Sequence, residues 1–159
     1  MEKFYIFDII KVEKRYKNMK KCDCPYCAHG EYLAKFGVLA FETNKSEVIV
    51  FKDQHHKGRC IVAYKDDHVG GLEELSDSNR NEFMADVADV CKTVKKVYNP
   101  DRINFGAYGD TLGHLHVHIV PKYKDGFEWG GTFVMNTNEY ASDEEINKVV
   151  ENLKNNFRK

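Results

Sequence analysis

The sequence lacks the long apolar runs of a membrane protein: no stretch approaches the roughly 20 consecutive apolar residues of a membrane-spanning helix. It also lacks an excess of charge of either sign, since the formal net charge is −1 at pH 7. This balance argues against a nucleic-acid-coating protein, although a local basic patch could still bind a phosphorylated small molecule. Near the start, Asp8 interrupts a very short apolar segment, so we expect no signal peptide and a cytoplasmic protein.

Cysteine is too scarce, and its number is odd, for a disulfide scaffold. The chain has five cysteines, and three of them cluster as Cys22, Cys24 and Cys27. In a reducing compartment, the Cys-x-x-Cys spacing of Cys24 and Cys27 is typical of a metal-binding knuckle or of a redox pair. The spacing alone leaves both interpretations open.

Internal repeats, low-complexity segments and domain linkers are also missing. The 159 residues therefore favour a single domain, which we expect to span residues 1–159. We place its core at about residues 22–133 and a C-terminal helix at about residues 142–157. With 42% apolar and 31% charged residues, the composition is typical of a soluble globular protein rather than a disordered one.

The apolar patterns predict an α+β fold, in which helices pack on a mostly antiparallel sheet. Strands are predicted at residues 37–42, 47–52, 59–64 and 102–108, and in the segment around the histidines at 114–120. A long helix is predicted to begin after Ser76 and to stop at Asn99, before a proline. A final helix is predicted after Ser142, which forms a capping-box pattern with Glu145.

Three histidines alternate with apolar residues immediately before Pro121. In a strand, His114, His116 and His118 would share one face, because side chains alternate between the faces of a sheet. The intervening residues would face a core: Leu115, Val117 and Ile119. We expect the strand to end at Pro121, which has no N–H to donate. Antiparallel pairing with the preceding strand would place Asn104 near the histidines.

Two kinds of chemistry use several imidazoles on one face. Three neutral rings can hold a zinc ion with an open coordination position, which activates water. Alternatively, one ring is a nucleophile, and its neighbours hydrogen-bond to the group that it attacks. The alternation by itself favours a functional site but does not choose between the two.

The segment from His114 to Val120 matches in full the motif of the histidine triad family, His-φ-His-φ-His-φ-φ, where φ is apolar. Other segments are similar to bacterial members of that family: 24–27, 65–68, 102–106, 109–111, 121–126 and 129–131. The resemblance covers about residues 22–133. It implies a five-stranded antiparallel sheet with two main helices, paired in a homodimer with a continuous ten-stranded sheet. It also implies binding of a purine nucleotide phosphate and cleavage at its α-phosphorus.

The resemblance implies a role for four polar residues near the motif. His116 corresponds to the family's nucleophile, and His118 to its phosphate-contacting histidine. Thr111 corresponds to a hydroxyl residue that contacts the phosphate or the leaving group. Asn104 corresponds to a polar contact near the α-phosphate. Arg59 stands where many members have a histidine, and we assign it no role.

The resemblance further implies a closed, structural zinc site made of Cys24, Cys27, His68 and His114. Such a Cys₂His₂ tetrahedron leaves no coordination position open. Cys22 is an alternative to Cys24 as a ligand. Three further residues are expected around the bound nucleotide: Asp53, Asp110 and Trp129.

The favoured function is a nucleotide phosphohydrolase or phosphoramidase that forms a covalent nucleotidyl-histidine intermediate. Its substrate would be a dinucleoside polyphosphate or a nucleoside phosphoramidate. The alternatives are a nucleotidyl transferase of the same superfamily, a nucleotide-binding dimer with vestigial catalysis, and a hydrolase with a catalytic zinc ion between the triad histidines. We expect neither nucleic acid nor a membrane as a partner.

Overall fold

The computed structural model describes residues 24–158. The alternative in which Cys22 replaces Cys24 as a metal ligand falls on a residue outside the described part of the chain. The single domain over residues 1–159 stays a prediction for the same reason. Among the described residues, no helix is both long and apolar enough to cross a membrane.

Five strands and two main helices make up most of the described chain. The strands are β1 (Gly37–Glu42), β2 (Ser46–Phe51), β3 (Cys60–Tyr64), β4 (Arg102–Gly106) and β5 (His116–Lys122). The helices are α1 (Pro25–Ala28), α2 (Gly30–Ala34), α3 (Asp77–Tyr98) and α4 (Asp143–Asn156), with a 3₁₀ turn at Leu72–Glu74. The two short helices, α1 and α2, were not predicted, because four or five residues are too few to show helical periodicity.

The strands form one antiparallel sheet in the order β1-β2-β3-β5-β4. This arrangement confirms the predicted α+β fold with a five-stranded antiparallel sheet. The histidine strand β5 lies between β3 and β4. His118 pairs with Ile61 on β3 and with Gly106 on β4, so neighbouring strands flank it on both sides.

The ends of both long helices follow from their capping residues. Ser76 accepts a hydrogen bond from the N–H of Asn79 at the start of α3, and Asn99 ends that helix in the left-handed conformation with φ of 45°. At the start of α4, the side chains of Ser142 and Glu145 each accept a bond from the other residue's N–H. These caps confirm the predicted positions of both helices.

The two faces of the sheet carry separate apolar clusters. Helices α3 and α4 cover one face, where they form the main core with alternate strand residues. Leu115, Val117 and Ile119 belong to that core, as predicted. On the opposite face, the short helices α1 and α2 supply Tyr26 and Leu33 to a smaller cluster. The histidines lie on this second face, next to that cluster.

The predicted end of the histidine strand is wrong. The strand continues through Pro121 to Lys122, and Pro121 pairs with Ile103 on β4. Ile119 is the last residue of β5 that pairs with β3. Within residues 24–158, Pro121 therefore lies where β4 is the only strand that pairs with β5, and a missing N–H is tolerated at such an edge position.

Asp86 joins helix α3 to the turn between β1 and β2 and to the C-terminal residues. Its carboxylate is 1% exposed. One oxygen accepts hydrogen bonds from Thr43 Oγ1 (2.6 Å), the Lys45 N–H (2.7 Å) and Ser46 Oγ (3.1 Å). The other accepts a bond from Arg158 Nη2 at 3.0 Å. The charge is therefore buried with partners on both oxygens.

We expect Asp86→Ala to lower the free energy of unfolding by about 2–4 kcal/mol, because two buried hydroxyls and one N–H lose their acceptor. Urea unfolding measures this loss. Arg158→Ala is the matched control. It removes ion pairs of a half-exposed side chain with Asp86 and Asp89 but keeps the buried hydrogen bonds to Asp86, so it should cost only about 1 kcal/mol. Equal, small losses for both variants would show that the carboxylate network does not stabilise the fold.

Candidate functional site

The rings of His116 and His118 lie side by side on the face of the sheet away from the main core. Each residue is 4% exposed, and the two ring centroids are 5.2 Å apart. The Tyr26 ring of helix α1 stacks on His116 at 5.0 Å, with an interplanar angle of 30°. The short helix thus holds the central imidazole against the strand.

A backbone hydrogen bond sets the protonation of the His116 ring. Its Nδ1 lies 2.6 Å from the carbonyl oxygen of His114. A carbonyl can only accept, so Nδ1 carries the proton and Nε2 keeps a free lone pair. Burial lowers the pKa of His116, and the bond to this carbonyl only partly opposes that effect. The ring is therefore a neutral imidazole near pH 7, which is the nucleophilic form.

His118 has a buried arginine beside it. Arg59 is 1% exposed, and its Nη2 lies 3.4 Å from Nδ1 of His118. The guanidinium carbon lies 4.2 Å from the ring centroid of Phe51 and 4.8 Å from that of Phe133. Burial, followed by the charge of Arg59 and by His116, lowers the pKa of His118 to about 3. Burial also lowers the pKa of Arg59 to about 10, so the guanidinium stays charged at neutral pH.

Residues 127–141 form a strap that passes beside the triad, and polar side chains from the sheet side hold it. Lys122, 2% exposed, donates from Nζ to three strap carbonyls: Glu128 (2.6 Å), Gly131 (3.2 Å) and Thr132 (3.1 Å). The Glu128 carboxylate lies 3.0 Å from His56 Nε2 and accepts from the Val134 N–H at 2.9 Å. The strap therefore has a defined position over this face.

Asp53 lies under the same strap. Its buried carboxylate accepts bonds from the N–H (2.6 Å) and the hydroxyl (2.8 Å) of Thr137, and from the N–H of His55 (3.2 Å). Burial alone would raise the pKa of Asp53, but these bonds and the charge of Arg59 hold it below its ordinary value. The carboxylate thus anchors the strap, and its expected contact with a nucleotide stays a prediction.

The other predicted site residues are exposed. Asn104 pairs with Val120 on β5, which places it on the face of the histidines, toward the far end of that strand. Asp110 and Thr111 lie in the loop before the histidine strand, and Trp129 in the strap is 42% exposed. Within residues 24–158, the last three make no hydrogen bond or ring contact with the triad. The roles assigned to all four stay predictions.

The four predicted metal ligands come together at the start of the histidine strand. The ligand atoms of Cys24, Cys27, His68 and His114 all lie within 4.8 Å of one another. Cys27 Sγ is 3.2 Å from His68 Nδ1 and 3.5 Å from His114 Nδ1, and the two Nδ1 atoms are 3.4 Å apart. Tetrahedral zinc, with ligand distances of about 2.0–2.3 Å, needs ligand atoms roughly 3.3–3.8 Å apart. The separations of these ligand atoms are therefore close to those that a tetrahedral zinc ion needs.

The hydrogen bonding of His114 also suits a metal ligand. Its Nε2 lies 2.7 Å from the backbone carbonyl of Tyr64, so Nε2 carries the proton and Nδ1 presents its lone pair to the cluster. The turn of helix α1 places both sulfurs on one side, as the Cys27 N–H bonds to the Cys24 carbonyl at 3.1 Å. His114 therefore groups with the cysteines and not with His116 and His118.

The sequence reasoning missed Arg59, Lys122 and Tyr26. Arg59 precedes β3 by one residue and shares a face with Ile61, which pairs with His118. The alternation of side chains in β3 would place Arg59 beside the triad only if the pairing of β3 with β5 were known, and the sequence does not show that pairing. No sequence pattern around Lys122 predicts that its side chain is buried, because its hydrogen-bond partners lie in the strap.

The fold and the paired histidines define a protein of the histidine triad class, and the comparisons with known proteins agree. The model of the HIT domain family matches residues 37–125. The chain belongs to the HIT family.

Curated relatives match parts of the chain. It is 35% identical over 77 residues to the AP-4-A phosphorylase of Mycobacterium tuberculosis strain H37Rv. The matched segment covers 45% of this chain and 35% of that protein. The chain thus spans about a third of the length of this relative. It is 23% identical over 104 residues to Protein hit of Bacillus subtilis strain 168, covering 61% of this chain and 71% of that one.

Solved structures share the fold. A histidine triad protein from Sinorhizobium meliloti superimposes with a TM-score of 0.73 at 20% identity, over 80% of this chain and 94% of that one. A zinc-bound histidine triad family protein from Mycobacterium smegmatis does so with a TM-score of 0.60 at 14% identity, over 85% of this chain and 93% of that one.

We expect Cys27→Ser to lower both the bound metal per chain and the melting temperature, the latter by roughly 5–10 °C, because metal binding contributes to folding free energy. Elemental analysis and thermal unfolding, with and without a chelator, measure the two effects. Cys91→Ser is the matched control: this partly buried cysteine lies in helix α3, outside the cluster. Metal content that is the same in both variants would refute the site.

Proposed function

We propose that this protein is a nucleotide phosphohydrolase or phosphoramidase that cleaves at the α-phosphorus of a purine nucleotide. The observation that carries the proposal is the His116 ring, a neutral imidazole whose Nδ1–H is held by the His114 carbonyl, leaving Nε2 free. Membership of the HIT family, and the likeness to a protein named AP-4-A phosphorylase, support a nucleotide substrate. The substrate would be a dinucleoside polyphosphate or a nucleoside phosphoramidate.

In the first step, Nε2 of His116 attacks the α-phosphorus, and a phosphorus–nitrogen bond forms. The bond from phosphorus to the leaving group breaks, and its electron pair departs with that group. The ring becomes a nucleotidyl-imidazolium, whose positive charge strengthens the bond from Nδ1–H to the His114 carbonyl. His118 hydrogen-bonds to the phosphoryl oxygens, and Thr111 contacts the phosphate or the leaving group.

In the second step, water attacks the phosphorus, and the phosphorus–nitrogen bond returns its electron pair to Nε2. A proton from the water passes to solvent, a nucleoside monophosphate is released, and His116 is again neutral. Asn104 would contact the α-phosphate, while Asp53, Asp110 and Trp129 would line the nucleotide. Splitting one displacement into two in this way replaces a difficult step by two easier ones.

We propose zinc as the ion at the cluster of Cys24, Cys27, His68 and His114. Two thiolates with two imidazoles suit zinc, and the zinc-bound relative supports this identity. A bound ion with four protein ligands would have a structural role, cross-linking helix α1, the loop after β3 and the start of the histidine strand. The grouping of His114 with cysteines favours this closed site over a catalytic ion between the three triad histidines.

A nucleotidyl transferase is the second candidate. A phosphorylase uses orthophosphate where a hydrolase uses water, and the chain is 35% identical over 77 residues to a protein with that name. In this variant, orthophosphate would take the nucleotidyl group from His116. A product that carries one additional phosphate, formed only when orthophosphate is added, would identify transfer rather than hydrolysis.

We also propose that two chains pair through strand β4, an edge of the sheet. Phe105 on β4 pairs with Ile119 of the main core, yet its own side chain is 60% exposed. An edge strand with an uncovered apolar side chain offers both backbone hydrogen bonds and apolar area to a second copy. The result would be the continuous sheet of a homodimer.

We expect His116→Ala to reduce turnover roughly 1,000-fold or more, since the covalent step is lost. Activity is measured on adenosine and guanosine phosphoramidates, dinucleoside polyphosphates and nucleotide sugars. Mass spectrometry during wild-type turnover should show a nucleotidyl adduct on His116. His55→Ala, a loop histidine outside the triad, is the control and should keep wild-type activity. Full turnover by His116→Ala would exclude the nucleophile assignment, while inactivity of the wild type on every substrate would favour a nucleotide-binding dimer.

We expect Phe105→Glu to convert a dimer into monomers, because the new charge would have to be buried at the pairing edge. Sedimentation velocity gives the mass of each species. Tyr32→Glu on helix α2 changes another exposed aromatic residue, 49% exposed, and should leave the dimer intact. A wild-type protein with the mass of one chain at all concentrations would rule out the homodimer.

A further inference from the structure

Arg59 is a cation buried beside the triad. Within the described residues, its guanidinium donates to the backbone carbonyls of Val134 (3.4 Å) and Met135 (2.8 Å), and no carboxylate lies within salt-bridge distance. Its buried Nε has no hydrogen-bond partner there. The carboxylates of Asp53 and Glu128 act on its charge only from beyond that distance. Burying a charge without a direct ion pair costs folding free energy. A residue kept at such a cost is a candidate for a role in the site.

The contact with His118 determines where that ring carries its proton. A guanidinium has five N–H donors and no acceptor. Since Nη2 of Arg59 lies 3.4 Å from Nδ1 of His118, Nδ1 must be the acceptor in this contact. The neutral ring then carries its proton on Nε2. The adjacent His116 has the opposite arrangement, with the proton on Nδ1 and the lone pair on Nε2.

The charge of Arg59 also disfavours a second proton on His118. Together with burial, which is the larger cause, it lowers the pKa of that ring to about 3. The rings of Phe51 and Phe133 lie against the guanidinium, and the strap carbonyls accept from it, so its orientation is defined. His118 is therefore held as a neutral ring with one tautomer.

We propose that Arg59 is a positioning residue, which holds His118 in the Nε2–H tautomer so that this ring donates to a non-bridging oxygen of the phosphoryl group. The inference rests on the proposed function for its catalytic consequence. One strand face then presents a lone pair on His116 and an N–H on His118. The first attacks phosphorus, and the second stabilises charge on the phosphoryl oxygen.

The first measurement is the tautomer of His118 in ¹⁵N-labelled protein by NMR. We expect Nε2 protonated and Nδ1 unprotonated in the wild type. In Arg59→Met, which fills the space between the two aromatic rings without any N–H, the Nδ1–H form should become populated. Lys122→Met is the matched control: it removes another buried cation that holds the strap but contacts no histidine, and it should leave the tautomer unchanged.

The second measurement is a double-mutant cycle on turnover. We expect Arg59→Met to lower kcat roughly 10- to 100-fold. This is less than the roughly 100- to 1,000-fold cost of losing such a donor outright, because the Nε2–H tautomer of His118 stays partly populated. Arg59→Lys, which keeps a charged donor, should recover part of that loss. In a His118→Ala background, Arg59→Met should cost little more, because both changes remove the same donor.

Two outcomes would overturn the proposal: an unchanged His118 tautomer in Arg59→Met, or fully additive losses in the cycle. Inactivity of the wild-type protein on every nucleotide would instead refute the proposed function. The NMR result would still decide whether Arg59 sets the tautomer, because that measurement needs no substrate.

Discussion

The alternation of side chains along β5 and the residue before it, Leu115, is the constraint on which the rest of this structure depends. Leu115, Val117 and Ile119 are at most 3% exposed in the main core, while His116 and His118 lie on the opposite face. Every apolar residue that anchors the strand thus fixes the position of the next imidazole. A shift of one residue in register would bury the histidines in the core and expose the apolar residues, so the core enforces the site.

Two separate groups of contacts hold the two ends of the histidine segment. At its start, the cluster of Cys24, Cys27, His68 and His114 brings helix α1 and the loop after β3 to the strand. Farther along, Arg59 and the strap pack against His118. The rings of His116 and His118 are neutral, because burial lowers the pKa of each. Their chemistry is therefore that of lone pairs and N–H donors rather than of fixed charge.

The family assignment and the proposed chemistry rest on different observations. The HIT model match over residues 37–125 establishes membership. The proposed chemistry rests on two hydrogen bonds that give His116 and His118 opposite tautomers. Solved structures with 20% and 14% identity share the fold of this chain. The contact between Arg59 and His118 is observed in this chain.

The sequence by itself determined the features that depend on neighbours in the chain. These are the strand period of the histidines, the helix caps at Ser76 and Ser142, and the ligand spacing of the knuckle. Only the tertiary structure decided that β5 continues past Pro121, that Tyr26 stacks on His116, and that Arg59 bonds to His118. Periodicity and capping act within a few residues, whereas these contacts depend on which strands pair and on what covers each face of the sheet.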